Sequence, residues 1–176
     1  MRLAVAVSVV VVVSLATATA TRHEQSKPRL ARPLQARVVV AELQTTASTV
    51  EQGFVAELNR IRAEHGLGRV VLDDALSAAA REHSADMVAR HYFAHGVFWR
   101  RLERVGATYG TVGEVLGWTS RVDGAVRVLT RMWMRSGEHR VVVLNPRYRA
   151  VGVGVVVGRF EGERDALVVT ADFWSR

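Results

Sequence analysis

"YRAVGVGVVVG", residues 148–158, is where the period of the chain changes. Val151, Val153, Val155 and Val157 alternate with Ala150, Gly152, Gly154 and Val156, which is the two-residue repeat of a strand. "ALVVTADFW", residues 166–174, repeats it, with Leu167, Val169, Ala171 and Phe173 on one face. The polar stretch "RFEGERD" lies between them, so the two runs predict an antiparallel hairpin. Upstream, "GEVLGW", residues 113–118, is a candidate third strand.

Ahead of the hairpin the apolar spacing is helical. In "STVEQGFVAELNRIRAEHGLG", residues 48–68, Thr49 and Gln52 have capping-box spacing. Phe54, Leu58 and Ile61 form the buried stripe and Gly66 the stop. "DDALSAAAREHSADMVARH", residues 73–91, predicts a second helix capped by Asp73 or Asp74. Its inner face carries Leu76, Ala79 or Ala80, His83 and Met87. "RVDGAVRVLTRMWMRS", residues 121–136, predicts a third, with Val122, Val126, Leu129 and Trp133 inward and Ser136–Gly137 closing it. Helices first and strands last, without strand–helix alternation, indicate an α+β fold.

The 176 residues suit one domain with appendages. There is no cysteine, which removes disulfides, thiol nucleophiles and Cys-ligated zinc. The net charge is +7, and Lys27 is the only lysine. The arginines are dispersed, including Arg60, Arg62, Arg100, Arg101 and Arg104, which reads as a solvated surface and not as a nucleic-acid footprint. A basic secreted protein would meet anionic wall polymer or lipid headgroups.

Residues 1–20 read as a secretory signal peptide: Arg2, an apolar run from Leu3 to Leu15, then "ATA" at Ala18–Ala20. The rival reading is an uncleaved anchor, but the apolar run falls short of the roughly 20 residues a span needs. Residues 21–47 carry Pro28 and Pro33 and read as a basic tether, leaving 48–176 as the domain. The expected location is extracellular, with no membrane span after cleavage.

Of the histidines, His23 lies in the tether and His65 near a helix C-terminus, where partial positive charge is favourable. His83 reads as a packed core residue. His91 and His95 in "HYFAH" have the i, i+4 spacing of two ligands on a helix turn, although Tyr92 and Phe93 look like buried aromatics and chance explains the spacing equally well. His139 follows the helix end in "WMRSGEHR", residues 133–140.

In order, these motifs resemble the CAP superfamily, or SCP domain, of cysteine-rich secretory proteins, antigen 5 and plant pathogenesis-related 1 proteins, in a bacterial cysteine-free form. "FVAELNRIRAEHGLGRVVLDDALSAAAREHSADM" resembles the family's opening, "HYFAH" its first-histidine motif and "GEVL" its Gly-Glu-Asn-Ile motif. "WMRSGEHR", "LNPRYRAVGVGV" and "TADFW" resemble its second-histidine motif and closing strand, so the likeness covers about residues 48–174. It implies a three-layer α-β-α sandwich with a central antiparallel sheet. It also implies an open cleft with two histidines and two glutamates. Carried over, the histidines are His95 and His139 and the first glutamate is Glu114. The second glutamate position holds Ser136, and the motif's asparagine is Val115.

Two imidazoles and a carboxylate can hold zinc or another divalent metal weakly, through His95, His139 and Glu114. Glu114 can instead orient one histidine through its other ring nitrogen. The favoured expectation is a secreted, monomeric, non-enzymatic module binding a lipid or sterol, or a partner. The alternatives are a metal-dependent extracellular hydrolase and a wall-associated structural protein. A serine nucleophile at Ser136 lacks an oxyanion-hole motif.

Overall fold

The computed structural model describes residues 5–6, 13–15 and 34–175, with side chains described from residue 48 onward. Two long strands, β5 (Ala150–Phe160) and β6 (Glu163–Trp174), form the expected hairpin. Glu161 and Gly162 turn it with φ of 49° and 85°. Positive φ at both central residues is the turn whose twist matches paired strands. β4 (Gly110–Thr119) contains the expected "GEVLGW" and pairs antiparallel with β6, Glu114 opposite Asp172.

The sheet is mixed, which corrects the expectation of a purely antiparallel one. β3 (Val71–Leu72) runs parallel to β5. No hairpin links β3 to β5, so nothing reverses its direction. The chain leaves α1 (Leu34–Glu64), touches the sheet edge over two residues and departs into α2 (Asp74–Arg90). Along β4, β1 (Val5–Ala6) and β2 (Val13–Leu15) pair antiparallel at the opposite edge, giving the order β1-β4-β6-β5-β3 with β2 also on β4. Both lie in the segment that reads as a leader.

The helices lie on both faces. Phe54, Leu58 and Ile61 of α1 and Leu129 and Trp133 of α4 (Ala125–Arg135) share a core with Val151, Val153, Leu167, Val169 and Phe173. Trp133 is fully buried and donates from its indole Nε1 to Leu116 O at 2.8 Å. α2 covers the other face, so the three-layer α-β-α arrangement holds. Its close approach explains the alternate glycines of the opening stretch. A Cβ on Gly152 would sit 2.2 Å from the backbone of Leu76, and one on Gly154 would sit 2.0 Å from Arg81 N.

Beyond short β3, the edge of β5 is blocked by side chains. Ser77 Oγ accepts from Val153 N at 3.2 Å and Glu51 accepts from Val155 N at 3.1 Å, while Arg81 grips Glu51 at 2.7 Å. Such cover protects a strand edge from foreign pairing.

Three local expectations change. α1 begins at Leu34, so Thr49 and Gln52 lie inside a helix and do not cap one. Val122 precedes α4 and is exposed, because α4 starts only after Gly124 in the left-handed region. Ser136 ends α4 as expected, but Gly137 does not close it and instead opens a short helix, α5 (Gly137–Val143). Asp73 caps α2 as expected, accepting from Leu76 N at 2.9 Å. Residues 21–33 of the expected tether lie outside the described residues.

Candidate functional site

Alternation along β4 sets the site. Gly113 and Gly117 face the layer of α5 and α4: a Cβ on Gly113 would lie 2.3 Å from the Tyr148 hydroxyl, and one on Gly117 would lie 3.2 Å from Leu129. Glu114 therefore points to the other face, beneath α3 (Phe98–Arg104), and is fully buried. His95 arrives from the loop after α2. That loop begins where His91 takes the left-handed conformation, φ 52°, at the helix C-cap. His91 and His95 thus do not share a helix turn, and the metal-ligand spacing seen in the sequence has no structural counterpart. Tyr92 and Phe93 are half-buried.

His95 and Glu114 do meet. The His95 Nδ1 to Glu114 Oε1 distance is 2.6 Å. Arg101 of α3 donates from its guanidinium to Glu114 Oε2 and lies 3.5 Å from Asp172 Oδ1. Phe98 packs edge-on to the His95 ring. Burial pushes the Glu114 carboxyl up to about 7, against the pull of Arg101. Burial and the Glu114 charge hold Asp172 well above the usual carboxylate range. Burial thus disfavours the ionised form of both carboxyls. Arg101 balances the remaining charge.

His139 and Ser136 form a second pair. Ser136 joins α4 to α5, and its Oγ lies 2.7 Å from His139 Nδ1. His139 is fully buried and His95 is 9% exposed. β4 carries Glu114 into the packed layer under α3, and His139 is buried in α5 together with Val142 and Val143.

Among the described residues no three His, Asp or Glu side chains gather as a metal site. Glu114 spends its two oxygens on His95 and Arg101. Its contact with His95 Nδ1 has the geometry by which a carboxylate orients an imidazole.

Arg101 and Asp172 were missed in the sequence. Asp172 left a signal, a lone acid in the apolar run Ala166–Trp174. Arg101 left none, standing next to exposed Arg100. Arg62 is also buried, not part of a solvated surface. It donates to Val143 O at 2.8 Å and Asn145 O at 3.0 Å, satisfying carbonyls at the end of α5. His83 is the core residue expected, with Nε2 3.0 Å from Ala94 O, and burial lowers its pKa to about 4. His65 bonds Ile61 O at 2.8 Å at the end of α1.

A groove runs along the outer side of α5. It has a volume of about 540 Å³ and is lined by Thr111, Val141, Leu144 and Pro146, with Arg140 and Arg147 alongside. Val141 is 64% exposed on it.

The family model of CAP, the cysteine-rich secretory protein family, matches residues 55–173. The chain belongs to the CAP family. Its CAP domain is 32% identical over 117 residues to the protein YkwD of Bacillus subtilis (strain 168), covering 64% of this chain and 44% of that protein. It is 34% identical over 119 residues to the membrane protein YlbC of the same organism, covering 65% and 33%. The chain thus spans less than half the length of these curated relatives. Among solved structures it is similar to an extracellular SCP-domain protein of Bacillus anthracis, with TM-score 0.58, 26% identity and coverage of 74% and 43%. A cysteine-rich secretory protein of Staphylococcus aureus shares the fold, with TM-score 0.60, 20% identity and coverage of 86% and 43%.

Proposed function

We propose that this CAP domain is an extracellular, non-enzymatic binding module for a lipid with an anionic headgroup, held along α5. The observation that carries the reading is the groove itself, with apolar Val141, Leu144 and Pro146 beside Arg140 and Arg147. Its volume of about 540 Å³ falls in the range that takes a small ligand. The apolar wall suits an acyl chain or a sterol-like ring, and the two guanidiniums suit a phosphate.

The buried His95–Glu114–Arg101–Asp172 cluster then serves the fold. It joins the loop after α2, α3, β4 and β6 beneath the sheet. Secretion completes the proposal, supported by the apolar leader-like start and by the extracellular nature of the Bacillus anthracis neighbour.

Vesicle co-sedimentation tests the lipid reading, with phosphatidylglycerol, phosphatidylcholine and sterol-doped phosphatidylcholine vesicles. Binding is expected to phosphatidylglycerol only. Replacing Arg140 and Arg147 with Gln should weaken it about thirtyfold, at about 1 kcal/mol per basic residue near an anionic surface. Val141→Asp should abolish it. Equal binding to all three vesicles, or none, refutes the reading.

A hydrolytic reading has one observation in its favour, the 2.6 Å bond that would orient His95 as a base. Turnover of a peptide or ester library that is lost in His95→Ala would replace the binding reading.

A further inference from the structure

A second concave surface lies between α1 and α4. It has a volume of about 630 Å³ and is lined by Arg60, Arg121, Arg127 and Arg131, with Glu57 and Asp123 the acidic residues among them. We propose that this groove is a binding site for a linear, base-free phosphate polymer, separate from the groove along α5.

The charges of the groove are unequal in their engagement. Glu57 and Glu64 are taken up by Arg60, at 2.8 Å in the case of Glu57. Arg121, Arg127 and Arg131 enter none of the ion pairs found among the described residues. All three are exposed. The Glu57 carboxyl is held below its ordinary range first by its hydrogen bond to Arg60, and the charges of Arg127 and Arg131 across the groove act in the same direction.

Stability does not account for this arrangement. Arg127 and Arg131 are four residues apart on one helix face, where like charges repel. A row of unpaired guanidiniums on a convex surface would be a solvated face. Here the row lines the wall of a concavity, where low-dielectric sides focus the field on whatever enters. Guanidiniums match phosphate oxygens in a planar, two-pronged geometry.

The groove also discriminates between polyanions. Among the described residues its lining contains no aromatic side chain. Proteins that hold single-stranded nucleic acid combine a basic groove with aromatic platforms for the bases. Without such platforms an oligonucleotide gains nothing from its bases, and a polymer of phosphodiesters and small polyols makes all the contacts available.

Fluorescence anisotropy tests the site on the full chain with labelled poly(glycerol phosphate). A labelled oligothymidine of equal phosphate count serves as the comparison, across a sodium chloride series. The wild type is expected to bind the glycerol polymer at least as tightly as the oligonucleotide, with affinity falling as salt rises. Arg127→Glu with Arg131→Glu should lower that affinity at least tenfold, and Arg127→Gln with Arg131→Gln should reduce the salt slope by about 1.4. Arg159→Glu with Arg164→Glu, an equal charge change at exposed positions near the β5–β6 turn, should leave binding within about twofold of wild type. Circular dichroism verifies that each variant is folded; if the Glu pair unfolds the protein, the Gln pair carries the test. The proposal is overturned by no binding of the polymer, by equal losses in the groove variant and the Arg159 and Arg164 variant, or by tighter binding of the oligonucleotide.

Discussion

At Glu114 burial and Arg101 act in opposite directions, and burial prevails, leaving the carboxyl at about 7. A folded-state pKa above the unfolded value near 4.5 stabilises below that value and loses its contribution as pH rises through 7. The size of the effect is on the order of 3 kcal/mol. Asp172 acts in the same direction. His83 acts oppositely. Burial takes it from 6.5 to about 4, so its contribution is present above 6.5 and is lost as pH falls toward 4. Urea unfolding between pH 4.5 and 7 should therefore show wild-type stability falling as pH rises. Glu114→Gln should reduce that slope and His83→Gln should steepen it. The reverse order would show that the cluster is ionised throughout. Arg101→Met removes the cation from two buried carboxyls and should cost about 3–5 kcal/mol at pH 7.

Elements in this domain meet at two kinds of contact, large side chains against the helical face with α1 and α4, and bare backbone against α2. Trp133 represents the first. Trp133→Ala should cost about 3–5 kcal/mol, since it leaves a cavity and strands Leu116 O. Gly154 represents the second. Gly154→Ala places a methyl 2.0 Å from Arg81 N and 2.2 Å from Ala80 C, both backbone atoms that move only if α2 lifts. A loss of about 3 kcal/mol is expected, at the upper end for overpacking. Gly137→Ala, with nothing within 4 Å of its Cβ, should be neutral or slightly stabilising. Thermal melts of the two alanine variants provide the contrast, and similar melting temperatures would show that α2 does not sit on β5.

For the whole molecule, stability rests on packing and on internally balanced charge. EDTA is expected to leave the melting temperature unchanged, because the two oxygens of Glu114 are already bonded to His95 and Arg101. A fall of several degrees would reveal a metal held by His95 and its neighbours. Sequencing the exported protein should find Thr21 at or near the N-terminus. That processing would remove β1 and β2 and leave β4 as an open edge, whereas β5 keeps its cover of Ser77, Glu51 and Arg81.

The periodicities of the chain determined its elements. Alternation in residues 150–158 and 166–174 set the hairpin, and i, i+3, i+4 spacing set the inner faces of α1, α2 and α4, because these depend only on local geometry. The order of the motifs determined the family. What required the tertiary structure was every contact between elements far apart in sequence. Asp172 faces Glu114 only through the register of β4 on β6. Arg101 and Arg62 look like surface arginines until α3 and α1 carry them inside. His95 finds Glu114 and not His91, because the loop after α2 abandons the helix at a left-handed residue. The parallel strand β3 is two residues long, too short for any period, and its direction follows from where α1 releases the chain. The two grooves exist only between packed helices and strands, since a concavity belongs to surfaces that meet and not to any one of them.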